Sequence, residues 1–242
     1  MSAPSGTEPS PVPCANCGAT VEKSCCPECG QHRRGGERLV LRDVLVRFVE
    51  HLWDFDSAFL RTWLDLNRRP GEVCRDYVRG RRKFYMNPFG YLLLAMTVAL
   101  FTESTIGYFL PAAVDPDDQA ALSHPVTWLA MLVPWAVVWS WLFRRSGFNF
   151  AENYVFTLFV MGQTVWYETL LVTPLQAVGG QSAAMWLLFA ILLAYPTWTG
   201  VGLYREPVWK VTLKVLASMG VVLAVMVLAI AVLVETGLMA EP

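Results

Sequence analysis

From Pro88 to Glu235 the chain is a succession of apolar stretches separated by short polar turns, each stretch of a length that suits a bilayer. A span needs about 20 apolar residues, and in hydrocarbon only a helix or a closed barrel satisfies its own backbone. About 155 residues follow the last charged cluster, room for five such helices with short loops. The expected spans are Pro88–Leu110, His124–Phe143, Phe150–Leu175, Ala183–Tyr204 and Val211–Glu235. Composition agrees, with 55 % hydrophobic residues, 16 % charged residues and a mean hydropathy of +0.40. The fold class expected is therefore an all-α polytopic membrane protein.

The formal net charge of −1 hides an asymmetry: 13 of the 19 Lys and Arg lie between Arg33 and Lys83, against 8 Asp and Glu in that interval. Arg81, Arg82 and Lys83 precede the first span, Arg144 and Arg145 follow the second, and Arg205 and Lys210 flank the turn between the fourth and fifth. The other connections carry Asp115, Asp117 and Asp118, then no charge, then Glu235 and Glu241 in or before the tail 236–242. The basic clusters share one side, so the positive-inside rule puts the N-terminal region in the cytoplasm and the C-terminus outside. Arg75, Arg79, Arg81, Arg82 and Lys83 are expected to contact anionic lipid or phosphate there. A basic segment directly before a span is more simply an orientation signal than a nucleic-acid footprint, so no nucleic-acid partner is expected. Trp128, Trp141, Trp209, Tyr108 and Tyr204 near the span ends suit the interface.

Residues 1–13, rich in Pro and Ser, are expected to be a flexible leader, and residues 1–35 lack the apolar run of a secretory signal. Two knuckles follow: Cys14-Ala-Asn-Cys17-Gly18 and Cys26-Pro-Glu-Cys29-Gly30. A two-residue gap lets both thiolates of a knuckle reach one ion, and the glycine permits the tight turn beneath the sulfurs. Four thiolates, Cys14, Cys17, Cys26 and Cys29, close a tetrahedron with no open position, so one structural zinc is expected within a ribbon over 14–32. Cys25 beside Cys26 and His32 at the end of the ribbon are the alternative ligands.

The region 38–87 is expected to hold cytoplasmic amphipathic helices and a basic juxtamembrane stretch. Leu41, Val44, Leu45, Phe48 and Leu52 share a face in the first, Leu39–Trp53. Asp54 or Asp56 caps a second through Asn67, with Arg61 and Asp65 paired at i,i+4 and Pro70-Gly71 ending it. A third, from Glu72, stops near Gly80 with Val73 and Tyr77 on one face. All are too short to span, so they rest on the membrane surface, on a partner, or on the spans as a platform.

Carboxylates inside a membrane are functional candidates. Glu103, late in the first span, and Glu168, deep in the third, are expected at similar depth by helical rise, as a cation or proton site. Glu152, at the start of the third, is placed to meet the basic turns. Small residues Gly220 and Ala224 in the fifth span leave room for a homo-oligomeric helix contact. No zincin, nucleophile-elbow or phosphate-loop motif is present, so no enzyme of a familiar class is expected.

The knuckles, CPECGQ and FDSAFLRTWLDLNRRPGEVCRDYVRGRRKFYMNPFGYLL together resemble a family of uncharacterised bacterial membrane proteins with an N-terminal zinc ribbon. The shared pattern, close to R-P-G, Y-x-x-G-x-R and Y-x-x-P, is carried here by Arg69, Pro70, Gly71, Tyr77, Gly80, Arg82, Tyr85 and Pro88. FNFAENYVFTLF at the third span resembles the same family. A fainter topological similarity is to Yip-type five-span membrane proteins. The resemblance implies a bacterial inner-membrane protein and brings no activity. What remains is a scaffold or adaptor presenting its ribbon to a cytoplasmic or membrane protein or to anionic lipid, the alternative being a small permease using Glu103 and Glu168.

Overall fold

The computed structural model of the protein describes residues 11–31, 58–109 and 125–235, with the side chains of 125–131 and 229–235 left aside. The first ten residues, His32, the helix expected over Leu39–Trp53, the Asp54 and Asp56 caps, Asp115, Asp117 and Asp118, and the tail 236–242 lie outside the described residues.

Strands β1 (Val12–Pro13) and β2 (Thr20–Val21) pair antiparallel, and helices account for most of the remaining described chain. Two short helices, α1 (Ala58–Arg68) and α2 (Pro70–Val78), precede the long ones. Then come α3 (Pro88–Phe109), α4 (Pro125–Leu142) and α5 (Phe150–Tyr167). A π-helical turn over Glu168–Val172 carries α5 into α6 (Thr173–Ala177). The last two are α7 (Gln181–Tyr204) and α8 (Val208–Glu235). The bounds of the long helices follow the expected spans closely. Four stretches are long and apolar enough to cross a membrane: Pro88–Phe109, Phe150–Ala177, Gln181–Tyr204 and Val208–Leu228. The second expected span is the 18-residue α4, about 27 Å long by helical rise.

One helix is wrapped by the others. Some 78 % of the Phe150–Ala177 window is buried, against 22–33 % of the other three, which present wide apolar faces outward. Helices α2, α3, α4 and α7 all pack on α5. This is why α5 tolerates Asn153, Thr157, Gln163 and Thr164 in its interior: each faces protein rather than lipid and is buried. Its start is set by a capping box, in which Asn149 Oδ1 accepts from the Glu152 N–H at 2.8 Å and Glu152 Oε2 from the Asn149 N–H at 2.7 Å. Its end is set by Pro174, which has no N–H and crowds the preceding turn. The chain answers with the π turn, in which the Thr173 N–H reaches back to Glu168 O.

Neighbouring spans are not level. The Tyr91 hydroxyl donates to Gln163 Oε1, and a Cβ on Gly162 would touch Leu92 Cα at 3.3 Å. Tyr91 begins α3 whereas Gln163 lies near the end of α5, so α3 starts about 15 Å further along the bundle by helical rise. The α3 face Tyr91, Leu92, Ala95, Met96, Ala99 is buried against α5 and the π turn, whereas Phe101, Tyr108 and Phe109 are exposed.

α1 and α2 pack beside the second half of α5. Phe59 packs on Tyr91 and Trp166, Tyr77 meets Phe159 edge-on at 5.5 Å, the Tyr167 hydroxyl donates to Asn67 Oδ1 at 2.8 Å, and the Tyr195 hydroxyl to Leu66 O at 3.3 Å. The short helices are thus a platform packed on the spans. Two local expectations are corrected. α1 ends at Arg68, before Pro70 as expected, but α2 opens at Pro70 itself rather than at Glu72, since the missing N–H of a proline is not needed in a first turn. Arg61 does not pair with Asp65; its guanidinium stacks 4.4 Å from the Phe84 ring and donates to Phe84 O, while Asp65 takes Arg69 at 2.9 Å.

Candidate metal centre and its docking junction

The two knuckles have the same backbone. Gly18 N–H donates to Cys14 O and Gly30 N–H to Cys26 O, both at 2.9 Å. Cys14 N–H donates to Ala19 O and Cys26 N–H to Gln31 O, both at 2.8 Å. Each turn closes through its glycine at positive φ, 80° and 68°. The result brings the sulfurs of Cys14, Cys17, Cys26 and Cys29 within 4.8 Å of one another. Cys14 and Cys29 are 3.7 Å apart and Cys17 and Cys26 3.5 Å, and all are free thiols. A tetrahedron of sulfurs about 2.3 Å from one ion has edges of about 3.8 Å, whereas a disulfide needs about 2.05 Å. Donor set, count and spacing therefore fit a closed four-thiolate metal site. Cys26 is buried in the cluster and Cys25 is exposed outside it.

The thiols do not share protons equally. Burial opposes ionisation of Cys29, but the Gln31 backbone N–H, the Asn16 side chain and the neighbouring thiols outweigh it and draw its pKa down to about 7. At Cys17 the Ala19 backbone N–H favours the thiolate, yet burial and the three other thiols push it up to about 12. Such a cluster becomes fully anionic only when a cation offsets the charge, so binding a metal releases protons.

The second knuckle is tied to the membrane region. Gln31 is buried; its Nε2 donates to Gly80 O at 2.8 Å, and its Oε1 accepts from the Lys83 N–H at 3.3 Å. The equivalent position in the first knuckle is Ala19, which has no such group. Gly80 offers its carbonyl because α2 ends in a left-handed turn: Gly80, at φ 112°, donates to Tyr77 O, and Arg81 N–H returns to Asp76 O at 2.9 Å. One residue, Gln31, therefore closes a metal knuckle with its backbone and holds the junction with its side chain.

The five basic residues of the junction do not form one surface. Arg75 donates to the Gly202 and Leu203 carbonyls, the latter at 2.8 Å, capping the end of α7. Arg82 is buried and engaged within the protein. Arg81 pairs with Asp76 at 3.0 Å and lies 4.6 Å from the Phe84 ring. Arg79 and Lys83 are exposed. The resemblance motif is architectural here. Arg69 pairs with Asp65, Pro70 opens α2, Tyr77 and Tyr85 are buried, and Pro88 opens α3. Gly71 lies so close to Gly202 that a Cβ there would fall 2.4 Å from Gly202 Cα.

The carboxylates separate into distinct settings. Glu152 belongs to the α5 capping box. Glu168 is buried at the start of the π turn, and Glu103 is partly exposed on the second half of α3; neither is without a partner. With Tyr91 level with Gln163, Glu103 falls level with a residue roughly 10 Å beyond Glu168 by helical rise. The structure thus does not set them at the shared depth that residue counting suggests.

Two polar groups have partners that the sequence does not indicate. Lys214, inside the expected fifth span, reaches back to Glu206 at 2.7 Å and covers the Phe143 ring at 4.0 Å. Tyr204, expected at the interface, instead turns inward, accepting from Trp139 Nε1 at 2.8 Å and donating to Asn153 Oδ1 at 2.5 Å. Trp141, Trp209 and Tyr108 are exposed, as interfacial aromatics are.

Residues 56–100 match a family model described as a protein of unknown function (DUF3667). The match spans α1, α2, the junction and the first half of α3, without the ribbon. No curated protein and no solved structure is similar to the chain.

Proposed function

We propose that the chain is a non-enzymatic scaffold or adaptor of the bacterial cytoplasmic membrane, with its ribbon held by one structural zinc and presented to the cytoplasm for a protein or anionic-lipid partner. Zinc suits four thiolates in a closed tetrahedron better than harder cations do. Orientation rests on the basic residues gathered at the junction end and on the cation–aromatic pairs there, Arg144 over Trp141 and Lys210 over Trp209. The observation that carries the reading is the Gln31 anchor: a ribbon fixed by both amide atoms to the entry of the first long helix is a rigid display rather than a loose appendage.

The test is Gln31→Ala in the full chain. Zinc content is expected to stay at one per chain while the Lys83 amide gains hydrogen exchange about tenfold, the loss of one hydrogen bond of about 1.4 kcal/mol. Capture of the partner from gently solubilised membranes is expected to fall with it. Unchanged exchange and unchanged capture would end the adaptor reading.

A transport reading keeps one observation in its favour, the buried Glu168 at a π turn of the central helix, a kind of irregularity that recurs at functional sites. That reading predicts that Glu168→Gln abolishes a proton or cation flux in vesicles reconstituted with the full chain. Equal flux in both proteins removes its support.

A further inference from the structure

The carboxylates around the end of α7 are all committed elsewhere. Glu72 lies 3.6 Å from Arg69, Asp76 pairs with Arg81 at 3.0 Å, and Glu206 takes Lys214 at 2.7 Å. Three arginines gather at the same place. Arg75 is fixed on the last carbonyls of α7, Arg79 follows one turn later as the C-cap of α2, and Arg205 lies two residues past Leu203. Burial, then the charges of Arg205 and Arg79, lower the proton affinity of the Arg75 guanidinium, and Glu72 and Asp76 offset them in part. Arg79 and Arg205 are exposed and have no acidic partner among the described residues.

The backbone adds an independent observation. Arg205 ends α7 in the left-handed region, at φ 56°, and is the only non-glycine residue so placed among the described residues. Glycine is the usual occupant of such a cap because it has no Cβ to crowd the carbonyl. A strained residue that keeps a long cationic side chain points to a use for that side chain.

We propose that Arg79 and Arg205 bind the phosphate of an anionic phospholipid, with Arg75 as the positioning residue. The residues just beyond Arg205 favour a lipid over free phosphate. Val208 and Trp209 are exposed three and four positions later in the chain, and Lys210 lies over the Trp209 ring at 5.4 Å. A headgroup on the arginines therefore has an apolar and aromatic landing beside it. The fork of a guanidinium matches phosphate oxygens in pairs. This deepens the lipid part of the proposed function and leaves the zinc ribbon aside.

The experiment is native mass spectrometry of the full detergent-solubilised protein titrated with phosphatidylglycerol, with phosphatidylcholine and inorganic phosphate as separate arms. Wild type is expected to retain phosphatidylglycerol at least tenfold more tightly than phosphatidylcholine. Arg79→Gln with Arg205→Gln is expected to abolish that preference. Arg205→Gly serves as a second variant, because glycine relaxes the cap: it should melt no lower than wild type yet lose most of the preference. Preference unchanged in both variants overturns the site, and displacement of the lipid by millimolar inorganic phosphate overturns the lipid assignment. Zinc content and partner capture, measured on the same samples, report separately on the adaptor reading.

Discussion

Replacing Cys14, Cys17, Cys26 and Cys29 together by serine is expected to remove the metal and unfold the ribbon while the membrane region still inserts. The ribbon has almost no core of its own: Cys14, Val21 and Cys26 are its buried apolar residues, and its sheet is one pair of two-residue strands. Burying one valine contributes about 1.5–3 kcal/mol, whereas structural zinc contributes about 10–16 kcal/mol in small zinc-dependent peptides. The metal term decides. Elemental analysis should fall from one zinc per chain to none, and amide protection should vanish over residues 12–31. Because Gln31 closes the second knuckle, the Lys83 amide should lose protection in the same variant. Cys25→Ser, at an exposed thiol outside the cluster, should change none of these. A four-serine protein that keeps its ribbon protected would remove the metal from the account.

The largest expected loss of stability in the membrane region comes from a single methyl group, in Gly71→Ala. A Cβ at Gly71 would lie 2.4 Å from Gly202 Cα, 2.5 Å from Gly202 C and 2.7 Å from Leu203 N, all backbone atoms of α7. No rotamer change relieves such a contact, so α2 must lift from α7. That movement also breaks the Arg75 bonds to the Gly202 and Leu203 carbonyls. Overpacking costs about 1–3 kcal/mol, and a lost charge-assisted cap adds about 1.5–3 kcal/mol. A drop in apparent melting temperature in detergent well beyond that of ordinary surface substitutions is expected. Gly220→Ala in α8 is the matched control, since its added Cβ meets nothing within 4 Å and favours the helix. Gly220 and Ala224 are both exposed, so the close contact their spacing permits is not made among the described residues. If Gly71→Ala melted with the control, the close approach of α2 to α7 would be wrong.

What was legible in the sequence were the features set locally. Apolar length located every long helix to within a few residues, and knuckle spacing picked out the four cysteines that cluster, with Cys26 rather than Cys25 among them. What was not legible depends on partners distant in the chain. Counting residues from span starts assumes level spans, and the Tyr91–Gln163 pairing shows an offset that no periodicity encodes. A run of arginines announces charge but not direction, so the inward turn of Arg75 and Arg82 went unseen. Two clues were nevertheless present. Gln31 stands where the otherwise equivalent first knuckle has Ala19, and Asn153, Thr157, Gln163, Thr164 and Glu168 put a polar stripe along the third span, which calls for protein rather than lipid against it.

The central position of α5 fixes a timetable for biogenesis. Chains emerge at about 5–20 residues per second, and the 127 residues separating Arg75 from Gly202 therefore take roughly 6–25 s to synthesise. Through that interval the guanidinium of Arg75 lacks its carbonyl acceptors, and for shorter parts of it the Tyr91 hydroxyl lacks its Gln163 acceptor and Asn67 Oδ1 its Tyr167 donor. The nascent platform must wait at the membrane surface, solvated by water and headgroups, until the helix that organises it arrives third among the long ones. A ribosomal pause just after α5 is expected to give Tyr91 and Asn67 time to meet Gln163 and Tyr167, while it prolongs the wait of Arg75 for α7.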